Sequence, residues 1–257
     1  MTVQFHDGFI GDVDNNSTKE YSGSDYKDLF LENLNKKPEG WYYRHNKITY
    51  SHNNVGHRCK NTNEIDYNNY ILFTGCSHTY GIGLELEKTY AYLLSKKLSC
   101  DYYNLALGGT GIDIMFHNLN VWLDRYPKPK HVFVQWSDPT RFIGDRGFDP
   151  KSNVFTLTPE GHWSTSNTAR KFILLGDDTG YWRLRTKMYN LMLKEKFKNM
   201  QLSFRYISFL GTFSDNELAT TQPFFHHKGL DYARDGGHFG NKTNEDMATR
   251  LYDSIQQ

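Results

Sequence analysis

Apolar and polar positions change period along this chain, and the changes mark its elements. From Asn69 onward, short apolar runs alternate with segments of helical spacing. Residues 71–74 read as a buried strand, 88–98 as a helix with Tyr90, Leu94 and Leu98 on one face, and 102–105 as a second strand. Ile112–Arg125 carries Ile112, Phe116, Leu119 and Leu123 at helical spacing, and His131–Gln135 follows Pro127 and Pro129 as a third strand. Tyr181–Asn199 is expected as a helix with Leu184, Met188 and Leu191 inward, and 201–210 as a fourth strand. This β-α-β-α-β order implies parallel strands with right-handed crossovers, hence a three-layer α/β/α domain on a flavodoxin-like parallel sheet.

The flanking text is different. Residues 1–40 are polar, and Trp41-Tyr42-Tyr43 and Ile48-Thr49-Tyr50 read as short strands, with a turn at Asn53-Asn54-Val55-Gly56. Residues 1–66 are therefore an N-terminal appendage packing on a domain at 67–257. Within that domain, 139–180 loses the rhythm: Gly144, Gly147, Gly161 and Gly176 break it around Phe148, Phe155 and Trp163. It reads as an irregular insertion of the lid or binding-loop kind, whose aromatics would line a substrate site. Near the end, Thr243-Asn244-Glu245-Asp246 has the form of a capping box opening a helix that buries Met247, Leu251 and Ile255.

Composition narrows the function classes. Lys plus Arg number 30 against 29 Asp plus Glu, a net charge of +1, so no nucleic acid or anionic surface is implied by the overall balance. The three cysteines, Cys59, Cys76 and Cys100, lack CxxC spacing, which points to a reducing compartment. The start has no basic and apolar leader pattern, and no apolar run reaches the roughly 18 residues of a membrane span. The expectation is a cytoplasmic protein.

The chemistry sits at two places. Gly75-Cys76-Ser77-His78-Thr79-Tyr80-Gly81 puts Ser77 on the tight turn leaving a buried strand, and Asp235-Gly236-Gly237-His238 lies near the other end. A serine hydroxyl needs a base, for which imidazole suits neutral pH, and the imidazole needs a carboxylate on its other nitrogen. Gly236 and Gly237 let the chain bend so that Asp235 reaches His238. Each piece also has a plainer reading: a tight βα connection or phosphate cradle at Ser77, a turn cap at Asp235, a core histidine at His238. His226 and His227 with His238 lack a matching acidic or Cys ligand for a metal, and His57-Arg58-Cys59 is no better. His78 is expected to point away from the nucleophile, and Cys76 to be a buried, inert thiol. Arg141, just beyond the third strand, is a candidate for an acidic substrate group, with a surface ion pair as the alternative.

Thr79 stands where the nucleophile elbow of α/β-hydrolases has its second glycine. The chain instead resembles the SGNH, or GDSL-like, hydrolases over about 69–255. Gly75-Cys76-Ser77 is similar to the family's Gly-Asp-Ser turn, with Cys76 in place of Asp. Asn104-Leu105-Ala106-Leu107-Gly108-Gly109 is similar to its glycine block, and Asp235 with His238 to its Asp-x-x-His block. The third block departs: Gln135-Trp136-Ser137-Asp138 puts Ser137 where the family has asparagine. The resemblance implies Ser77 as nucleophile, His238 as base, Asp235 as its orienter, and the amides of Ser77 and Gly109 as oxyanion donors. Ser137 or Gln135 would stand in as the third donor. It implies ester hydrolysis of a small-molecule or glycan ester without metal or organic cofactor. A non-catalytic binding or structural module on the same fold is the alternative, as is a phosphate-binding flavodoxin-like protein.

Overall fold

In the computed structural model, which describes residues 2–149, 154–207 and 229–256, four strands lie side by side in a parallel sheet. The chain reaches it after a hairpin, β1 (Val3–His6) with β2 (Phe9–Asp12), and a two-residue strand β3 (Thr18–Lys19). Helix α1 (Lys27–Lys36) follows, and β4 (Tyr50–Ser51) pairs back on β3. The strand expected at Trp41–Tyr43 is instead a 3-10 turn, Tyr42–Arg44. Its aromatics pack on one another, with Trp41 and Tyr43 5.5 Å apart, and on Phe30, so no strand partner is required.

Then come β5 (Tyr70–Thr74), the short α2 (Ser77–Tyr80), α3 (Tyr90–Lys97), β6 (Asp101–Asn104), α4 (Ile112–Arg125) and β7 (His131–Gln135). A hairpin of β8 (Phe142–Asp149) and β9 (Val154–Glu160) leads to α5 (Asn167–Asp178), α6 (Tyr181–Asn199), β10 (Ser203–Ile207) and α7 (Asn241–Gln256). The parallel sheet runs β10-β7-β5-β6, the flavodoxin-like order, in which the chain reverses direction across the sheet beside its first strand. Every residue of β5 is buried, because helices cover both faces. Tyr70 and Leu72 meet Met115, Leu119 and Trp122 of α4 with Leu193 and Phe197 of α6. Ile71 and Phe73 meet Tyr90, Ala91 and Leu94 of α3 with Met247, Ala248 and Leu251 of α7. This is the three-layer α/β/α architecture.

Three further expectations are corrected. Residues 139–180 are not irregular: β8 and β9 join β1 and β2 in a second, antiparallel sheet of order β2-β1-β9-β8, where Val3 pairs with Leu157. Glycines and a register shift between Asp145 and Phe148 hide the period of two, and the pairing partner lies at the other end of the chain. On α6, Leu184, Met188 and Leu191 are 58%, 54% and 53% exposed. The inward face is Trp182, Arg185, Thr186, Asn190, Leu193 and Phe197, turned there by Trp182 stacking on Phe142 and Phe197 packing on Phe204. Thr243 lies inside the first turn of α7, and the cap is Asp231, whose carboxylate accepts the amides of Lys242 at 3.0 Å and Thr243 at 2.9 Å. The last strand ends at Ile207, and 208–210 lie outside the described residues. Among the described residues no helix is long and apolar enough to cross a membrane.

The two sheets are tied together by His57, which is fully buried. Its Nε2 accepts from Asn118 on α4 at 3.3 Å, and its Nδ1–H lies 3.1 Å from the Tyr103 hydroxyl on β6. Asn118 in turn holds both backbone groups of Ile10 on β2 at 2.8 Å. Burial pushes the imidazole down to about 3, and burial likewise pushes His52 down to about 4 against the pull of Asp12. Below about pH 6.5 the unfolded chain takes up protons that the native state refuses, so stability is complete above that pH and falls below it. The urea midpoint is expected to drop steadily from pH 7 to pH 5. Each histidine contributes up to about 1.4 kcal/mol per pH unit below 6.5. A midpoint constant across that range would contradict buried, neutral rings.

Candidate active site

The chain leaves β5 through Gly75, where a Cβ would lie 2.1 Å from the Thr79 hydroxyl, so only glycine lets the turn close. Ser77 then opens the four-residue helix α2, at the carboxyl end of the strand beside which the sheet reverses direction. A buried carboxamide holds this turn. Oε1 of Gln135, at the end of β7, accepts from the Cys76 amide, the Cys76 thiol and the Thr79 hydroxyl, each at 3.1 Å. Its Nε2 donates to the Trp136 carbonyl at 2.6 Å. Asn104 donates to the Thr79 carbonyl at 2.9 Å, and Tyr90 pairs with the Thr79 hydroxyl at 2.7 Å. Arg58 reaches the carbonyls of Tyr80, Gly81, Thr49 and Leu84.

His238 Nε2 lies 2.8 Å from Ser77 Oγ, and its Nδ1 lies 2.6 Å from Asp235 Oδ2. The bend between them passes through Gly236 at φ +73°, and Asp235 Oδ1 accepts the amides of Gly237 at 3.1 Å and His238 at 3.0 Å. Burial alone would raise the Asp235 carboxyl, but the hydrogen bond and charge of His238, its amide and the Ser24 hydroxyl outweigh burial. The carboxylate is held well below the usual range and stays ionised at neutral pH. With Nδ1–H given to Asp235, the bare nitrogen faces Ser77, and the serine hydroxyl donates to it.

A cavity of about 450 Å³ opens in front of Ser77 and His238, and Gly109, Arg141, Trp163 and Ser24 are among its lining residues. Asp235 sits behind the ring. Ser137 is 2% exposed, its hydroxyl meets no partner among the described residues, and it is not part of the lining. The His78 ring packs 4.8 Å from that of His238 and 4.6 Å from Phe239, and burial keeps it well below its ordinary pKa. Cys76 turns its thiol to Gln135, and burial pushes the Cys59 thiol up to about 12. His226 and His227 lie outside the described residues.

Two supporting groups lay outside the sequence reading. Ser24 donates to Asp235 Oδ2 at 2.7 Å, although 211 positions separate them. Next to it, Asp25 forms a buried ion pair with Arg234 at 2.7 Å, the residue preceding Asp235. No local spacing signals either contact.

No family model matches this chain, and no curated protein matches it. Solved structures do resemble it. A carbohydrate esterase family 2 enzyme with a carbohydrate-binding domain, from Corynascus thermopiles (Myceliophthora fergusii), is 16% identical with a TM-score of 0.45, over 73% of this chain and 65% of that one. An acetyl xylan esterase from the rumen bacterium Butyrivibrio proteoclasticus is 14% identical with a TM-score of 0.39, over 74% and 64%. A lipolytic protein of the G-D-S-L family from Veillonella parvula is 14% identical with a TM-score of 0.36, over 73% and 98%. The chain thus spans about two thirds of the length of those two carbohydrate esterases. The fold itself is a three-layer α/β/α arrangement on a parallel sheet of order β10-β7-β5-β6.

Gln135→Leu keeps the volume and removes the acceptor of three donors. It is expected to cost roughly 1–3 kcal/mol for each donor left buried without a partner, read as a lowered unfolding midpoint. An unchanged midpoint would show that the turn is held by other means.

Proposed function

We propose that this protein is a serine-dependent ester hydrolase. The observation that carries the reading is the unbroken hydrogen-bonded series Asp235–His238–Ser77 at the wall of a cavity. In the proposed reaction, Ser77 Oγ attacks the ester carbonyl while His238 Nε2 takes its proton. The imidazolium gives that proton to the leaving alcohol, and water, activated by the same nitrogen, releases the acid and restores the serine. Asp235 positions His238 and balances the imidazolium charge. The amides of Ser77 and Gly109 are the proposed oxyanion donors. Ser137 is left out of that role because it does not line the cavity. The substrate is proposed to be a small-molecule or glycan ester, and nothing in the reaction requires a cofactor.

A fluorescent fluorophosphonate is expected to label wild type at Ser77, and Ser77→Ala is expected to lose both labelling and turnover. Asp235→Asn, which presents the wrong tautomer, should lower turnover by about 10⁴-fold. Turnover retained in Ser77→Ala would refute the reading. A folded protein that takes no label would be a binding module on the same fold.

A further inference from the structure

Among the described residues, Arg58, Arg185 and Arg234 each reach at least one acceptor, although Arg58 and Arg185 leave Nε without one. Arg58 reaches backbone carbonyls, Arg185 reaches Asp113 at 3.2 Å, and Arg234 reaches Asp25 at 2.7 Å. Arg141 has no such partner. Its Nε and Nη1 are buried without a hydrogen bond among the described residues, and its guanidinium forms no ion pair there. Burying charge and N–H donors without a partner is unfavourable, so a group held this way is either badly placed or placed for a ligand.

The surroundings favour a ligand. Arg141 lines the cavity in front of Ser77, and among the described residues that line it none is Asp or Glu. The guanidinium is fixed rather than loose: it lies 4.7 Å over the ring of Trp163, a cation–π contact that leaves its charge free for an anion. Trp163 is seated over Gly161, where a Cβ would fall 2.4 Å from the ring. The backbone of Arg141 is pinned as well, its carbonyl accepting from Arg185 at 2.6 Å and its amide donating to the Asp138 carbonyl at 3.1 Å. The connection between β7 and β8 thereby brings to the site a guanidinium with no ion-pair partner among the described residues, independently of the serine turn.

We propose that the cavity takes esters that carry a second, anionic oxygen group, such as a carboxylate, and that Arg141 binds it. The inference rests on the ester-hydrolase reading for its substrate class, while the anion site itself does not. The charge belongs either to the acyl part or to the alcohol part of the ester, and the two are separable. One arm compares mono-4-nitrophenyl succinate with 4-nitrophenyl butyrate, and the other compares 4-acetoxybenzoate with methyl 4-acetoxybenzoate. Each ratio of anionic to neutral kcat/KM is measured in wild type, Arg141→Gln and Arg141→Glu.

Loss of a charge-assisted hydrogen bond corresponds to about tenfold or more. Wild type is therefore expected to favour the anionic member of at least one pair by about that factor. The ratio should fall to near one in Arg141→Gln and below one in Arg141→Glu. Calorimetric binding of 4-acetoxybenzoate and its methyl ester to Ser77→Ala, with and without Arg141→Gln, gives a readout free of turnover. Circular dichroism verifies folding. Turnover with no charge preference in either arm overturns the anion site and leaves the hydrolase reading standing. Arg141-dependent preference for the anion in binding, with no turnover of any ester, overturns the hydrolase reading and leaves the anion site. Equal binding of both compounds, or of neither, together with no charge preference in the acyl arm, overturns the proposal.

Discussion

The buried pair between Arg234 and Asp25 organises much of this molecule. Nε and Nη2 of Arg234 both reach the carboxylate, and neither side chain is more than 4% exposed. A pair sealed from water at this depth is not a source of net stability when compared with apolar packing. Removing either member strands the other charge, at a cost of about 3–5 kcal/mol. The value of the pair lies in what it fixes. Arg234 also donates to the Glu20 carbonyl, its own carbonyl accepts from Asn33, and its amide donates to Gly83 beyond the serine turn. Three stretches of chain far apart in sequence are thereby set at one place, with Asp235 next in line and Ser24 brought against it.

Polar groups of this kind recur around the serine turn, and they follow one logic. A turn that must expose a hydroxyl at a strand end cannot satisfy its own backbone groups, so side chains from other strands do it. Gln135 comes from β7, Asn104 from β6 and Arg58 from the N-terminal region. The result is a hydroxyl set on a lattice of satisfied hydrogen bonds rather than on a flexible loop. Cys76, standing where the resembling family has aspartate, fits this cage as a thiol turned to Gln135.

Much of the architecture was legible because its determinants are local. β5, α4 and β7 carry their own period, and the order of strands and helices admits few topologies. The Ser77 turn and the Asp235–His238 bend were legible for the same reason, each being a short motif at an element's end. What escaped was decided at a distance. The partner of β9 is β1, more than a hundred residues earlier, and no window of sequence contains both. The face of α6 was misread because Leu184, Met188 and Leu191 and the opposite Trp182, Leu193 and Phe197 both form apolar stripes, and the larger rings take the inside. The cap of α7 was assigned to Thr243 because a capping box is a local pattern, while Asp231 acts from upstream. Ser24 carries no motif at all.

The span of the Ser24–Asp235 contact also shapes how the molecule comes together in time. The two residues are 211 positions apart, and the hairpin β1–β2 is likewise joined to β9 across most of the chain. Contacts of such range repay their loop-closure entropy late, after the parallel sheet and its helices have condensed around β5. A collapsed chain with its central strands in place therefore still lacks the carboxylate clamp behind His238. The hydrogen-bonded series at Ser77 thus depends on contacts that close very long loops of chain.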